Sequence, residues 1–285
     1  MLKRKHLTKL FFVLSLFMFT FFLQLTVPGV NAAPVVVNHS SIAIDGNEQL
    51  DAFCAGNGTS GNATSPHRIE DLEITWDGPQ IGFNLSNIDR YLILYNVSVS
   101  DYFQSSYSKG LYLKNCSNIL INAVYSYNNS HGMWLENTSL TTIVNSSATS
   151  NKVNGITFKN SHNNNLYNVV VLENGLKENE GNGMNMISSD YNTIEYCLFL
   201  ESQGHGLFLQ DSYYNEVFDS EFLLNKGECY VILNDPDGTN NVHDNNCRKS
   251  SIPGMSIGIL AIISVGTVVI LVITTLRFKK KSKTA

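Results

Sequence analysis

Gly132-Met133-Trp134-Leu135-Glu136-Asn137-Thr138 is followed, 23 residues on, by Gly155-Ile156-Thr157-Phe158-Lys159-Asn160-Ser161. The two stretches share a glycine, two apolar residues spaced by two, and an asparagine followed by a small hydroxyl residue. Apolar residues at alternate places mark a strand with one buried face. Outward from this pair, Gly82, Gly110, Gly132, Gly155, Gly183 and Gly206 recur at intervals of 28, 22, 23, 28 and 23, and Cys229 stands 23 beyond the last. One residue after these glycines stand Phe83, Leu111, Met133, Ile156, Met184 and Leu207. Three after stand Leu85, Leu113, Leu135, Phe158, Met186 and Leu209, and eleven after stand Ile93, Ile121, Ile143, Leu166, Ile194 and Val217.

The next columns are polar. Five after the glycine stand Asn87, Asn115, Asn137, Asn160, Ser188 and Asp211; six after stand Ile88, Cys116, Thr138, Ser161, Ser189 and Ser212. Asn and Ser bond nearby backbone and suit a tight corner repeated in every unit. A unit of roughly 23 residues with two or three short strands and no helical period predicts an all-β chain, a right-handed parallel β-helix. Six-residue periodicity and a Leu-x-x-Leu-x-Leu consensus are both absent, which excludes a left-handed hexapeptide helix and a leucine-rich repeat. One coil cannot bury its own face, so stacked coils share one continuous core.

Two units are longer than the rest. Their insertions include Asp101 to Lys109, with Tyr102, Phe103 and Tyr107, and Glu173 to Gly181, with Glu178 and Glu180. Insertions in solenoids leave as loops, where function concentrates. Residues 33–81 read as an N-terminal cap with the first coils, and 82–250 as the repeats.

The two ends read differently. Lys3, Arg4, Lys5 and Lys9 precede an apolar run from Leu10 to Val27, and Val30-Asn31-Ala32 offers a cleavage site. Residues 1–32 are therefore expected to be a secretory signal peptide, with an uncleaved anchor as the alternative. Ile257 to Leu276 carries no charge over twenty residues, long enough for a membrane helix, so 251–276 is expected to be an anchor. Arg277, Lys279, Lys280, Lys281 and Lys283 follow, which places the tail 277–285 in the cytoplasm and the rest outside the cell. Without these ends, residues 33–250 hold ten Lys and Arg against 24 Asp and Glu, a net charge of −14. Such a charge does not attract nucleic acid.

An exported chain can use its Asn-x-Ser/Thr sites. Nine are present, at Asn38, Asn57, Asn62, Asn84, Asn96, Asn115, Asn128, Asn137 and Asn145. The five cysteines are Cys54, Cys116, Cys197, Cys229 and Cys247, so at least one stays unpaired within a monomer. Cys229 and Cys247 are near enough in sequence to staple the last coils, although spacing alone leaves the pairing open. Cys116 and Cys197 fall at inward positions and are expected to be buried thiols.

Ile42-Ala43-Ile44-Asp45-Gly46-Asn47, Gly56-Asn57-Gly58-Thr59 and Ser65-Pro66-His67-Arg68-Ile69-Glu70-Asp71-Leu72-Glu73-Ile74 precede the coils. With them the chain, from Pro34 to Leu276, resembles the NosD-like, carbohydrate-binding and sugar-hydrolysis class of right-handed β-helix proteins. Within it, archaeal membrane-anchored surface members are the nearer likeness. The resemblance implies the fold strongly and chemistry weakly, because the class holds polysaccharide lyases, hydrolases, epimerases, a copper-maturation protein and members without known activity.

The columns sort the candidate site residues. Two after the glycine, facing outward, stand Asn84, Tyr112, Trp134, Thr157, Asn185 and Phe208. Tyr112 and Trp134 fall on adjacent coils and suit the apolar faces of sugars, or simply pack across strands. Lys114, Glu136 and Lys159 alternate in sign four after the glycine, and Glu136 joins the aromatic pair as a ligand-binding candidate. His131 and His205 lie three coils apart, about 14 Å at the strand spacing, so they do not share a metal. His67 and His162 have no partner in the pattern, so a copper site is not expected. Asp211, Asp219 and Glu221 are the weak catalytic candidates, among acidic residues that include Glu216, Asp235, Asp237 and Asp244. Paired carboxylates hydrolyse glycosides, or assist a lyase together with Ca²⁺. Asp235-Pro236-Asp237-Gly238 has only half of a Ca²⁺ loop, so no cofactor is assigned.

Three functions remain in view. The leading one is a non-enzymatic, membrane-tethered scaffold outside the cell that binds glycans or proteins. The alternatives are a surface-anchored polysaccharide lyase or glycoside hydrolase, and a passive spacer. The expected partners are the membrane and a polysaccharide or surface protein.

Overall fold

The computed structural model describes residues 36–176 and 181–249. The expected signal peptide, the anchor 251–276 and the tail 277–285 lie outside the described residues. Among the described residues, no helix is long and apolar enough to cross a membrane.

From Val37 to Arg248 the chain is a parallel β-solenoid of about seven turns. Eight strands, from Ile42–Asp45 to Tyr230–Leu233, stack into one sheet; a second, fourteen-stranded sheet holds the return path of each coil. Among the described residues all strand-to-strand pairings are parallel, and successive coils meet in the register of the glycine columns: Phe83 on Leu111, Leu111 on Met133, Met133 on Ile156, Ile156 on Met184, Met184 on Leu207. These residues are fully buried, as are Leu85, Leu113, Leu135, Phe158, Met186 and Leu209.

One column is out of step with the sequence reading. Leu94, not Ile93, stacks on Ile121, and Ile93 faces outward beside Leu120. The corner between Ser86 and Leu92 holds one more residue than later corners, so counting from Gly82 slips by one. Adjacent apolar residues at 92–94 conceal that slip.

The corners are turned by left-handed residues and asparagine ladders. Asn87, Asn115, Asn137, Asn160, Ser188 and Asp211 all have positive φ, between 48° and 57°. Two further ladders, not resolved by the column reading, lie inside. In one, backbone N–H groups of Thr141, Asn164, Asn192 and Asn215 donate to side-chain oxygens of Asn164, Asn192, Asn215 and Asn240. In the other, Tyr102, Asn129 and Asn151 donate to Asn129, Asn151 and Asn174. Each ladder satisfies backbone groups that a buried corner would otherwise orphan.

The second ladder explains the repeated glycine. A Cβ on Gly132 would lie 2.7 Å from the Asn151 amide and 2.4 Å from the Gly155 carbonyl; Gly110 and Gly155 meet Asn129 and Asn174 likewise. The glycines have no need of left-handed φ here. Gly110, Gly132, Gly155 and Gly206 are the space into which a buried asparagine fits, while Gly82 makes room for Val99 and Tyr102 and Gly183 for Ser202 and Phe199.

The cap contains a helix, Asn47–Phe53, which the sequence reading of 33–81 as a cap with first coils does not predict. Leu50 is its buried contact with the core. Asp51 on this helix accepts from His67 Nε2 at 2.8 Å and is paired with Arg90 at 3.1 Å, which ties the helix to the first coils. The His67 hydrogen bond first, and Arg90 second, hold the Asp51 carboxyl below its usual range.

At the other end Cys229 and Cys247 form a disulfide, Cα–Cα 5.9 Å. Cys54, Cys116 and Cys197 are free and buried. Burial pushes the Cys116 thiol up to about 11 and the Cys197 thiol up to about 12, so neither is a ready nucleophile.

Candidate functional site

The outward side chains of Lys109–Lys114, His131–Glu136 and Ile156–Lys159 make the candidate site. Their inward neighbours anchor the strands in the core, so the outward groups stand on a rigid floor. Tyr112 lies beside Trp134 and Trp134 beside Thr157; Lys114 lies beside Glu136 and Glu136 beside Lys159. The two columns chosen from the sequence, holding Tyr112, Trp134 and Glu136, are thus brought together.

Polar contacts fix the strip. The Tyr112 hydroxyl donates to Glu136 Oε2 at 2.9 Å, and Glu136 Oε1 faces Lys159 Nζ at 4.0 Å. Burial, reinforced by Glu136, raises the Tyr112 phenol, which therefore stays protonated. Lys109 Nζ stands 4.8 Å from the ring centroids of both Tyr112 and Trp134 and donates to the Tyr107 carbonyl at 3.1 Å. Cation–π attraction of this kind contributes about 0.5–2 kcal/mol. Among the described residues neither Lys109 nor Lys114 enters an ion pair. Burial lowers the Lys109 pKa.

His131 belongs to this site, next to Lys109 in register. Its ring meets Trp134 edge to face, centroids 4.7 Å apart. It is only 8% exposed, and burial, with Lys109 adding to it, drops its pKa to about 4; at neutral pH it is uncharged. Its Nδ1 and the Trp134 Nε1 are buried without a hydrogen-bond partner. One unused acceptor and one unused donor therefore sit under the strip. The sequence columns set His131 apart from His205 but do not show its place beside Lys109; the column just before each glycine holds that signal.

The first inserted loop borders the same face. The backbone N–H groups of Ser130 and His131 donate to the Tyr102 and Ser108 carbonyls at 2.7 and 3.1 Å. Its aromatic residues part ways. Tyr102 is buried in the core, Lys152 Nζ lies 4.1 Å from the Phe103 centroid, and Tyr107 is 75% exposed. The second inserted loop lies partly outside the described residues.

The remaining candidates do not assemble. Asp211 is a left-handed corner residue accepting from Asn234 Nδ2 at 2.7 Å, at the end of a strand in the eight-stranded sheet. Asp219 and Glu221 lie on the fourteen-stranded sheet and its corner, away from that strand. Asp235 gives both carboxylate oxygens to its own turn, to Thr239 and Asn240, which holds its pKa down at about 2. Among the described residues no group of three or more His, Cys, Asp or Glu gathers to hold a metal. His162 and His205 accept backbone N–H groups of Asp190 and Glu228 in corners. Seven of the nine glycosylation motifs have an asparagine amide already donating within the fold: Asn57, Asn62, Asn96, Asn115, Asn128, Asn137 and Asn145. Asn84 stands beside Tyr112 in register.

A family model described as right handed beta helix region matches residues 95–258. The chain belongs to this right-handed β-helix family. Among solved structures it is similar to a double-mutant form of the periplasmic alginate epimerase AlgG, with TM-score 0.50 and 15% identity, over 63% of this chain and 50% of that one. It is also similar to the mannuronan C-5 epimerase AlgE4 A-module of Azotobacter vinelandii, with TM-score 0.41 and 12% identity, over 74% and 70% of the two chains. Tailspike protein 2 of an Escherichia coli O157:H7 bacteriophage gives TM-score 0.42 and 11% identity, over 63% and 30%. The chain spans half or less of the AlgG epimerases it matches. At 15% identity the likeness to the AlgG double mutant speaks for the fold alone. A search of curated proteins finds no match.

Proposed function

We propose that the chain is a non-enzymatic glycan-binding scaffold whose platform is the Tyr112–Trp134 strip. One observation carries this reading: two aromatic side chains in register on a rigid outer face, bridged by a half-buried ammonium that forms no ion pair among the described residues. Aromatic rings take the apolar faces of sugars, and Lys109, Lys114 and Lys159 outnumber Glu136, which favours acidic over neutral chains. Tyr107 and the Phe103–Lys152 pair extend the platform to one side. Its place in the NosD-like class, export by residues 1–32 and a tether at 251–276 belong to the same proposal, supported by sequence pattern and composition.

A glycan array with the purified chain tests it. Binding to acidic oligosaccharides that disappears in Trp134→Ala supports the platform. Binding that ignores the substitution removes it.

A second reading, a polysaccharide lyase or hydrolase, has one observation in its favour. Tyr112, Glu136, Lys109 and His131 bring acid and base groups together, which Asp211, Asp219 and Glu221 do not. Release of unsaturated or reducing ends, lost in Tyr112→Phe, would support it.

A further inference from the structure

The fourteen-stranded sheet carries a second outer surface of opposite character. Inward, Val171, Phe199 and Phe222 are fully buried; of their strand neighbours on the other face, Val170, Leu172, Leu200 and Glu221 are partly exposed, while Leu198 and Leu223 are covered. In the later coils these outward columns hold Val170 on Leu198 on Glu221, and Leu172 on Leu200 on Leu223. In the preceding coils the same columns hold Tyr125 on Ser147 and Tyr127 on Thr149. The face therefore changes from hydroxyls to aliphatics at Val170. Beside it Tyr167, Glu195 and Phe218 align, and the Tyr167 and Tyr196 rings meet with centroids 5.5 Å apart, each nearly half exposed. The charges beside the rings are Glu195, Glu216, Asp219 and Glu221, and the one basic residue of these columns among the described residues, Arg248, follows Leu223 in the last coil.

A partly apolar face of this kind on a solenoid marks an association surface. Its carboxylates would oppose one another in a two-fold pair, which disfavours self-matching. The complementary surface lies on the other sheet of the same chain, where Lys109, Lys114 and Lys159 flank Tyr112 and Trp134. We propose that the acidic aromatic face around Tyr167, Tyr196 and Phe218 docks onto the lysine-bearing strip of a second copy. Lysines reach carboxylates and tyrosine faces in one contact. Two different patches make a heterologous contact, which propagates copy to copy rather than closing as a dimer. Glycan and neighbour then compete for one strip, although the docking does not depend on glycan binding.

Sedimentation velocity on the purified full chain tests the proposal. Assembly is expected to grow with concentration at low salt and to vanish at about 1 M salt, where screening acts within about 3 Å. Glu195→Lys with Asp219→Lys, and separately Lys114→Glu with Lys159→Glu, each weaken association by on the order of tenfold or more. All four side chains are solvent-accessible and outside the core, and circular dichroism of each variant checks the fold. Mixing the two variants restores assembly, because the reversed faces then complement each other. A chain that does not assemble at low salt overturns the proposal, as does assembly that persists in high salt or in either variant. Failure of folded variants to assemble on mixing also overturns it.

Discussion

The Tyr112 hydroxyl donates to the Glu136 carboxylate across one coil, at 2.9 Å. That bond ties an outward residue of one coil to an outward residue two places further along the next. It holds the tyrosine ring at a fixed tilt beneath Lys109, and through Glu136 it links the ring to Lys159. Tyr112→Phe keeps the apolar ring and loses one charge-assisted hydrogen bond, at about 1.5–3 kcal/mol at most. The expected result is a glycan affinity within roughly tenfold of the parent, measured by calorimetric titration, whereas Tyr112→Ala removes a platform ring and costs more.

His131 gives the strip a pH signature. Its folded pKa, about 4, lies below the unfolded value of about 6.5, so the unfolded chain binds the extra proton first. The stability it contributes is fully present above pH of about 6.5 and is lost as pH falls from there to about 4. Two and a half units correspond to about 3 kcal/mol. The parent should therefore lose stability relative to His131→Gln as pH falls through that window, read as a change in the gap between their urea midpoints. A constant gap would remove His131 as the source.

Gly132 and Asn151 predict a packing defect. Gly132→Ala sets a methyl against the Gly155 carbonyl and the Asn151 amide, neither of which can yield without opening a ladder. Overpacking of this kind costs about 1–3 kcal/mol, so a drop of several degrees in Tm is expected. Gly56→Ala, where a Cβ meets nothing within 4 Å, should leave Tm nearly unchanged.

The disulfide closes an 18-residue separation, for which loop entropy gives about 3 kcal/mol. In Cys229→Ser with Cys247→Ser, hydrogen exchange should rise across residues 230–248. Protection upstream of Gly206 should hold, because coils couple chiefly to their neighbours.

Much of this was legible in the sequence because a solenoid repeats its environment. Met133, Ile156 and Met184 occupy one pocket type, so a column of apolar residues names the inward face, and Trp134 beside Tyr112 follows from the same count. What stayed hidden broke the repeat or crossed it. Ile93 displaced Leu94 because the corner before it carries one extra residue between similar side chains. The helix Asn47–Phe53 occurs once, so no column exposes it. The asparagine ladders were masked by a composition rich in asparagine everywhere. His131 joined Lys109 and Trp134 only when neighbouring columns were set side by side in register.

Calorimetric titration of acidic oligosaccharides into the parent chain and into Trp134→Ala decides whether the Tyr112–Trp134 strip is a glycan platform. Saturable binding by the parent is expected, weakened at least tenfold by Trp134→Ala, with an unchanged circular dichroism spectrum showing that the fold survives. No binding by the parent, or equal binding by both, would contradict it.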